Sequence, residues 1–163
     1  MLRFFIVAAW AVLAAAEQLP HIEGETLSGK HLALPDDAKG EFVLLIIGFT
    51  HGSQSQTKEW SVRARHEFPD EGRLRIFSIA VLQDAPRLIR PMIRSGLKHD
   101  LPPDQQDRFL ILTRDEKVLK QTAGFSNADD AYLVLLGPDG EIRWRFNGAP
   151  GDDAVSKIKS QVQ

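Results

Sequence analysis

The sequence predicts an α/β fold in which helices cover both faces of a mixed central sheet. Continuous apolar runs such as "EFVLLIIGF" and "LRIFSIAVL" are typical of strands that are buried on both faces. Segments with helical periodicity separate these runs, which is the pattern of an α/β sheet. A later stretch, "AYLVLLGPDGEIRWRF", has the form of a hairpin, and an amphipathic helix follows it.

Length and composition indicate one globular domain that does no thiol chemistry. The chain has 163 residues, of which 43% are hydrophobic and 26% are charged. The net charge of −2 gives no basic footprint for nucleic acid. The sequence contains no cysteine. This excludes disulfides, thiol–disulfide exchange and thiolate metal binding by this chain itself.

The first residues, "MLRFFIVAAWAVLAAAEQLP", resemble a secretory signal peptide. Arg3 supplies a positive start, a short apolar run follows, and Ala14 and Ala16 fit a small-residue cleavage site. The run is shorter than a membrane-spanning helix. We therefore expect a signal peptide over 1–16, a single domain over 17–163, and a periplasmic or secreted protein. An N-terminal anchor or a buried helix are the alternatives.

The first half of the domain predicts a strand, a second strand and a helix. "LSGKHLALPDD" alternates around Leu32 and Leu34 and indicates a short strand or hairpin. "EFVLLIIGF" is the first central strand. Ser53 or Ser55 can cap the following helix, which we expect from about Gln54 to His66. Trp60 and Ala64, four residues apart, share one face of this helix.

The second half repeats the alternation and closes with the hairpin and a helix. After the strand "LRIFSIAVL", Asp84 caps "APRLIRPMIRSGLKH", whose apolar residues have helical spacing and which Pro91 should kink or restart. "DLPPDQQ" is a loop, "RFLILT" a strand, and "RDEKVLKQTA" a short helix ended by Gly124. Pro138-Asp139-Gly140 forms the hairpin turn, and Gly151-Asp152 begins the last helix.

This order of elements is that of the thioredoxin-like fold, and two short motifs point to families within it. "GFTH", closing the first central strand before a helix, resembles the Sco copper chaperones, where the stretch runs Gly-Phe-Thr-His-Cys-Pro-x-x-Cys-Pro. "LLGPDGEI" resembles the strand and turn of the same family. The order of elements is also similar to that of thiol-specific antioxidant proteins and of the thioredoxin-like mitochondrial ATP-synthase assembly factors. The general likeness spans roughly residues 20 to 160.

The resemblance fails at the residues that would carry the chemistry. The two cysteines of the Sco motif fall on Gly52 and Gln56, and the metal-binding histidine falls on Asp129. Two soft thiolates and an imidazole suit copper, whereas a glycine, an amide and a carboxylate do not. The proline that precedes the corresponding strand in thioredoxins is replaced by Ala131 and Tyr132. The resemblance therefore implies a thioredoxin-like protein with a degenerate site, no catalytic residue, no cofactor and no metal.

Three polar residues beside this site have structural and functional interpretations. His51 could be a metal ligand beside Gln56 and Asp129, but a loop histidine is the simpler interpretation, because the motif places no second histidine near it. Ser53 and Ser55 could be nucleophiles, but no Gly-x-Ser-x-Gly elbow is present. We expect both serines to act as helix caps.

Two further stretches could contact a partner. Arg87, Arg90, Arg94 and Lys98 recur at helical spacing and form a basic face, which is either solvated or in contact with an anionic partner or lipid surface. "RWRFNG" at 143–148 indicates an edge strand with its arginines in water, or an edge that docks a peptide.

The sequence thus predicts a binding or assembly factor that acts on another envelope protein. Its candidate binding residues are the degenerate site positions: Thr50, His51, Gly52, Ser53, Gln56 and Asp129. They would belong to a polar pocket formed by residues 50–56 and 126–132. The alternative is a diverged peroxidase-like, reductase-like or copper-handling protein that uses the thiols of a partner or an unrecognised metal.

Overall fold

A computed structural model describes residues 16–69 and 73–163. Its seven strands form one sheet in the order β2-β1-β5-β4-β3-β6-β7. The strands are β1 (Ile22–Thr26), β2 (His31–Leu34), β3 (Phe42–Gly48), β4 (Leu74–Val81), β5 (Phe109–Leu112), β6 (Tyr132–Leu136) and β7 (Ile142–Asn147). The expected hairpin near Leu34 is the β1–β2 pair. The predicted signal peptide lies, except for Ala16, outside the described residues and stays a prediction.

Five α-helices and one short 3₁₀ helix accompany the sheet in the described part of the chain. They are the 3₁₀ helix Asp36–Ala38, α1 (Gln54–Glu67), α2 (Arg90–Asp100), α3 (Pro103–Gln106), α4 (Glu116–Ala123) and α5 (Asp152–Gln161). Over residues 16–69 and 73–163, no helix has both the length and the apolar character needed to cross a membrane. The α/β architecture with a mixed sheet confirms the predicted fold class.

The sheet combines three parallel central strands with antiparallel strands on both sides. β3 pairs in parallel with β4, and β4 with β5. β6 runs antiparallel to β3, and β7 antiparallel to β6, so the predicted hairpin is confirmed. Its turn requires a glycine, because Gly140 has a φ of +82°. β7 is an edge strand, as the "RWRFNG" pattern indicated.

The core consists of two apolar clusters, one on each face of the sheet. Residues of β3 point alternately to the two sides, as the pleat of a strand requires. One cluster joins the sheet to α1 and α5 and includes Leu44, Ile46, Trp60, Ala64, Val155 and Ile158. The other contains Leu45 and Ile47 of β3 with Leu119 and Ala123 of α4. Burial on both faces explains the unbroken apolar runs of the central strands.

Two predictions for the segment after β4 are wrong. The helix begins at Arg90 and not directly after Asp84, and the "DLPPDQQ" stretch contains the short helix α3 rather than only a loop. The Arg90 guanidinium donates hydrogen bonds to the carbonyls of Gln83 and Ala85, at 2.8 and 2.9 Å, which holds the preceding turn outside the helix. Pro91 then lies in the first helical turn, where its missing N–H has no cost.

Charged side chains connect the last helix to the first. Lys159 of α5 donates to the Glu67 carboxylate of α1 at 2.6 Å, and this hydrogen bond lowers the pKa of Glu67. The Arg63 guanidinium donates to Asp152 at 2.6 Å, which raises the pKa of Arg63. These pairs are at the surface and add modestly to the apolar packing of α1 and α5 beneath them.

Candidate functional site

Two loops meet at one edge of the sheet and form the candidate site. The loop after β3 leads into α1, and the loop after α4 leads into β6. Because β6 is antiparallel to β3, with Ile47 opposite Tyr132, the end of β3 and the start of β6 lie at the same edge. The topology therefore brings the positions singled out in the sequence, residues 50–56 and 129, to one place.

The turn after β3 is closed by its own hydroxyl groups. Ser53 occupies the position before α1, but its hydroxyl donates to the Thr50 carbonyl at 2.9 Å and makes no capping bond. The Ser53 amide instead donates to Thr50 Oγ1 at 3.3 Å. Ser55 lies inside α1 and donates to Glu59. The prediction that Ser53 or Ser55 caps the helix through its side chain is therefore wrong, since these hydroxyls have other partners.

Thr50 and Gln56 tie the first loop to the second. The Thr50 hydroxyl donates to the carbonyl of Ala128 at 2.5 Å. Gln56 Oε1 accepts a hydrogen bond from the amide of Ala131 at 3.0 Å, and its Nε2 lies 3.5 Å from Asp130 Oδ1. The amide of Gln56, at the position of the second Sco cysteine, thus holds the start of β6.

The second loop is held from below by a buried tyrosine hydroxyl. Tyr132 has no exposed surface, and its hydroxyl accepts hydrogen bonds from the amides of Ser126 and Asn127, both at 2.8 Å. It donates its own proton to the Asn127 carbonyl at 2.9 Å. The ring packs edge-on against Phe49, which follows β3. One side chain therefore satisfies three backbone groups of the loop and fastens them to the core.

Gly52 and Asp129 are in close contact. A Cβ built on Gly52 would lie under 3.0 Å from Asp129 Oδ1 and 3.2 Å from its Cγ. The carboxylate therefore fills the space that a side chain at position 52 would enter. Gly52 has no positive φ, so this close approach, and not backbone conformation, is what a larger residue would disturb.

Two residues beneath the site complete its support. Trp60 of α1 is fully buried, as predicted, and its Nε1 donates to the carbonyl of Gly148 at 2.8 Å. Asn147, at the end of β7, donates to Asp130 Oδ2 at 2.7 Å. Because β7 is antiparallel to β6, its end reaches the same edge. The site is thus supported from α1, β6 and β7.

The described residues offer little for a metal. His51 is exposed, and over residues 16–69 and 73–163 no three His, Asp, Glu or Cys side chains are gathered as ligands. The two loops meet through hydrogen bonds, while a depression of about 560 Å³ lies beside α1 and is lined by Lys58, Glu59, Val62, Arg63, His66 and Pro150. At the edge of the sheet, hydrogen bonds between the two loops form a polar surface.

Three residues that hold the site together were not among the six predicted site residues: Asp130, Tyr132 and Asn147, of which the first two fall within the predicted pocket range 126–132. One signal for Tyr132 was available. It is the only tyrosine of the chain and begins a fully apolar strand, where a buried hydroxyl must find a partner. Asp130 could not be distinguished from its neighbour Asp129, since only the turn before β6 decides which carboxylate faces Gln56.

The fold and the position of these loops define a thioredoxin-like protein without cysteines. A family model described as ATP10 protein matches residues 9–163. The chain therefore belongs to the ATP10 protein family. No curated protein matches it in sequence.

Solved structures similar to this chain share its fold. The thioredoxin domain of a thiol-disulfide oxidoreductase from Bacteroides vulgatus has a TM-score of 0.64 at 20% identity, covering 93% of this chain and 99% of that one. The exposed lipoprotein thioredoxin of Streptococcus pneumoniae has a TM-score of 0.64 at 15% identity, with coverages of 87% and 99%. A member of the Sco family of cytochrome c oxidase assembly proteins has a TM-score of 0.59 at 19% identity, with coverages of 90% and 94%. The predicted likeness to thioredoxin-like and Sco proteins is confirmed.

Proposed function

We propose that this protein is a non-catalytic assembly factor that binds another envelope protein through the surface of its two site loops. The observation that carries the proposal is the use of Thr50 and Gln56 as ties between those loops. At the place where relatives have a reactive pair, this chain has hydrogen bonds that fix the loop shape. A surface fixed before binding loses less conformational entropy when a partner docks.

Family membership supports the assembly role. The chain belongs to the ATP10 protein family, and its order of elements is similar to that of mitochondrial ATP-synthase assembly factors. One structure of the same fold belongs to a family of cytochrome c oxidase assembly proteins. The absence of cysteine from the sequence supports a role without thiol turnover. We place the protein in the periplasm or outside the cell on the pattern of its first 16 residues.

The binding surface consists of the exposed residues around the ties: His51 and Gly52 on the first loop, and residues 126–129 on the second. The His51 imidazole and the Asp129 carboxylate give this surface one group that can donate a hydrogen bond and one that accepts hydrogen bonds. Thr50, Ser53 and Gln56 lie beneath and act by positioning these residues. All six predicted site residues thus enter the proposal, in two different roles.

A photo-crosslinking amino acid at position 51 tests the proposal in the native host. We expect a discrete crosslinked product from His51, identifiable by mass spectrometry, and none from a matched probe at Val62, which is 57% exposed on α1. The same product at both positions, or its appearance only at Val62, would contradict the proposed surface. Mass spectrometry of the isolated protein should also find an N-terminus at or within about two residues of Glu17.

Copper binding tests the degenerate nature of the site. The full chain should not hold copper(I) in a stoichiometric complex against a colorimetric chelator, because none of the three ligand positions is a soft donor. The matched control is the variant with Gly52→Cys, Gln56→Cys and Asp129→His, which restores the ligand set of the resembled family. Tight one-to-one copper binding by the unmodified chain would overturn the interpretation of a degenerate metal site.

A further inference from the structure

The segment between β4 and α3 combines apolar and basic residues without any acid. From residue 85 to residue 99 the sequence is "APRLIRPMIRSGLKH", with four Arg or Lys side chains and no Asp or Glu. Asp84 and Asp100 flank it on either side. Such a segment is typical of helices that lie at an anionic surface.

The structure leaves the apolar side chains of this segment in solvent. Leu88 is 95% exposed, Met92 69% and Ile89 39%. These are three of the five large hydrophobic side chains that are exposed in the described part of the chain. No residue of α2 is buried, although its apolar residues have the spacing of an amphipathic helix. The segment therefore presents Leu88, Ile89 and Met92 to solvent, while Ile93 and Leu97 are half-buried.

The cations of the segment divide into two pairs. Arg90 donates to the carbonyls of Gln83 and Ala85, and Arg94 donates to Glu25 and to the Thr26 carbonyl, so these two arginines hold the segment on the protein. The expectation of a uniformly solvated basic face is thus only half correct. The Arg87 guanidinium and the Lys98 ammonium are exposed and have no hydrogen-bond or ion-pair partner among residues 16–69 and 73–163.

We propose that these side chains form a docking surface for an anionic lipid bilayer. The surface, here called the α2 face, consists of Arg87, Leu88, Ile89, Met92 and Lys98. Leu88, Ile89 and Met92 would enter the interfacial region, while the two cations bind lipid phosphates. Glu25, a carboxylate that faces the segment from β1, is paired with Arg94 at 2.7 Å, and the acids Asp84 and Asp100 lie at the two ends of the segment, outside the five residues of the α2 face.

The shape of the α2 face favours a bilayer over a protein partner. Leu88 is almost fully exposed and projects from a turn, so a protein would need a matching hollow to cover it. Three apolar side chains also fall well short of the roughly 800 Å² per partner that a stable protein interface buries. Lipid chains need no matching hollow. The α2 face follows β4 and so begins at the same sheet edge as the site loops, because β4 is parallel to β3.

Fluorescent labelling of the full chain tests the proposal, since the sequence contains no cysteine to compete for the dye. The variant Leu88→Cys is labelled with an environment-sensitive dye and mixed with phosphatidylcholine vesicles, with or without phosphatidylglycerol. We expect a severalfold rise in the fluorescence intensity of the dye and a blue shift of its emission, with the anionic vesicles only. The matched control Val62→Cys, exposed on α1, should show neither change.

A charge variant separates this surface from other membrane contacts. Adding Arg87→Glu and Lys98→Glu to the labelled Leu88→Cys variant should abolish the rise in fluorescence. High salt should reduce the rise in the Leu88→Cys variant itself, because it screens the two cations. If the fluorescence of the dye at position 88 does not change with anionic vesicles, or rises equally at position 62, the proposal is overturned. This holds even if the full chain sediments with vesicles. A rise with a soluble acidic amphipathic peptide and none with vesicles would overturn it in favour of protein docking. This test does not depend on the proposed assembly function.

Discussion

The site loops lie at the sheet edge where the α2 face begins, but the two regions are held in opposite ways. In the site loops, Thr50, Gln56 and Tyr132 form hydrogen bonds that span the two loops or anchor them to the core. In the α2 face, no residue of the helix is buried and apolar side chains point into solvent. The positions of the Sco cysteines and histidine are here occupied by residues that make contacts between the two loops. The helix with amphipathic spacing, by contrast, has no buried residue.

The residues at the site positions differ from those of the Sco motif and still hold the two loops together. Polar side chains at ligand positions need new partners, because a half-buried polar group without a hydrogen bond is costly. Gln56 finds the amide of Ala131, and Asp129 occupies the space that Gly52 leaves. These contacts fix the loops without a disulfide, since the sequence contains no cysteine. Substitutions in the two regions should then have very different effects on stability.

The largest effect is expected at the buried hydroxyl beneath the second loop. Tyr132→Phe removes the acceptor of the Ser126 and Asn127 amides and the donor to the Asn127 carbonyl. We expect a loss of about 1–3 kcal/mol in the free energy of unfolding, measured by urea denaturation. The control Ser55→Ala removes an exposed hydroxyl and should cost less than about 0.5 kcal/mol. Equal effects of the two variants would show that the tyrosine does not anchor the loop.

A smaller loss is expected where the two loops are tied together. Gln56→Ala leaves the Ala131 amide without its side-chain acceptor and should cost about 1–2 kcal/mol by the same measurement. The neighbouring Gln54→Ala changes an exposed residue of the same helical turn and should stay within about 0.5 kcal/mol of the parent. If Gln56→Ala is as neutral as Gln54→Ala, the tie contributes nothing to stability.

The smallest effect is a coupling between Gly52 and Asp129. Gly52→Ala alone should change the free energy of unfolding little. The alanine stabilises the protein by reducing the conformational entropy of the unfolded chain, but the Asp129 carboxylate must move to make room for it. In an Asp129→Ala background the same change should stabilise the protein by about 0.4–1 kcal/mol. Gly151→Ala, with no atom within 4 Å of its added Cβ, is the control and should show no coupling to Asp129→Ala. Additive effects at Gly52 and Asp129 would contradict the contact.

The fold was predictable because its strands carry strong local patterns. The apolar runs of β3 and β4 and the turn at Gly140 lie where the sequence places them. The partners of the site residues were not predictable, because hydrogen bonds between residues 56 and 131 depend on how two loops meet across the sheet. The start of α2 was missed for a related reason. Asp84 has the chemistry of a helix cap, but Arg90 reaches back to the carbonyls of the preceding turn and delays the helix.

Hydrogen exchange of backbone amides compares the two regions directly. The amide of Ala131 donates to Gln56, and that of Asn127 to Tyr132, whereas the amide of Ile93 in α2 donates to the Ile89 carbonyl under exposed side chains. We predict that Ala131 and Asn127 exchange at least tenfold more slowly than Ile93, relative to their intrinsic rates. That ratio is a difference in opening free energy of about 1.4 kcal/mol or more. Equal protection, or slower exchange at Ile93, would contradict the account of a fixed site beside a loosely held helix.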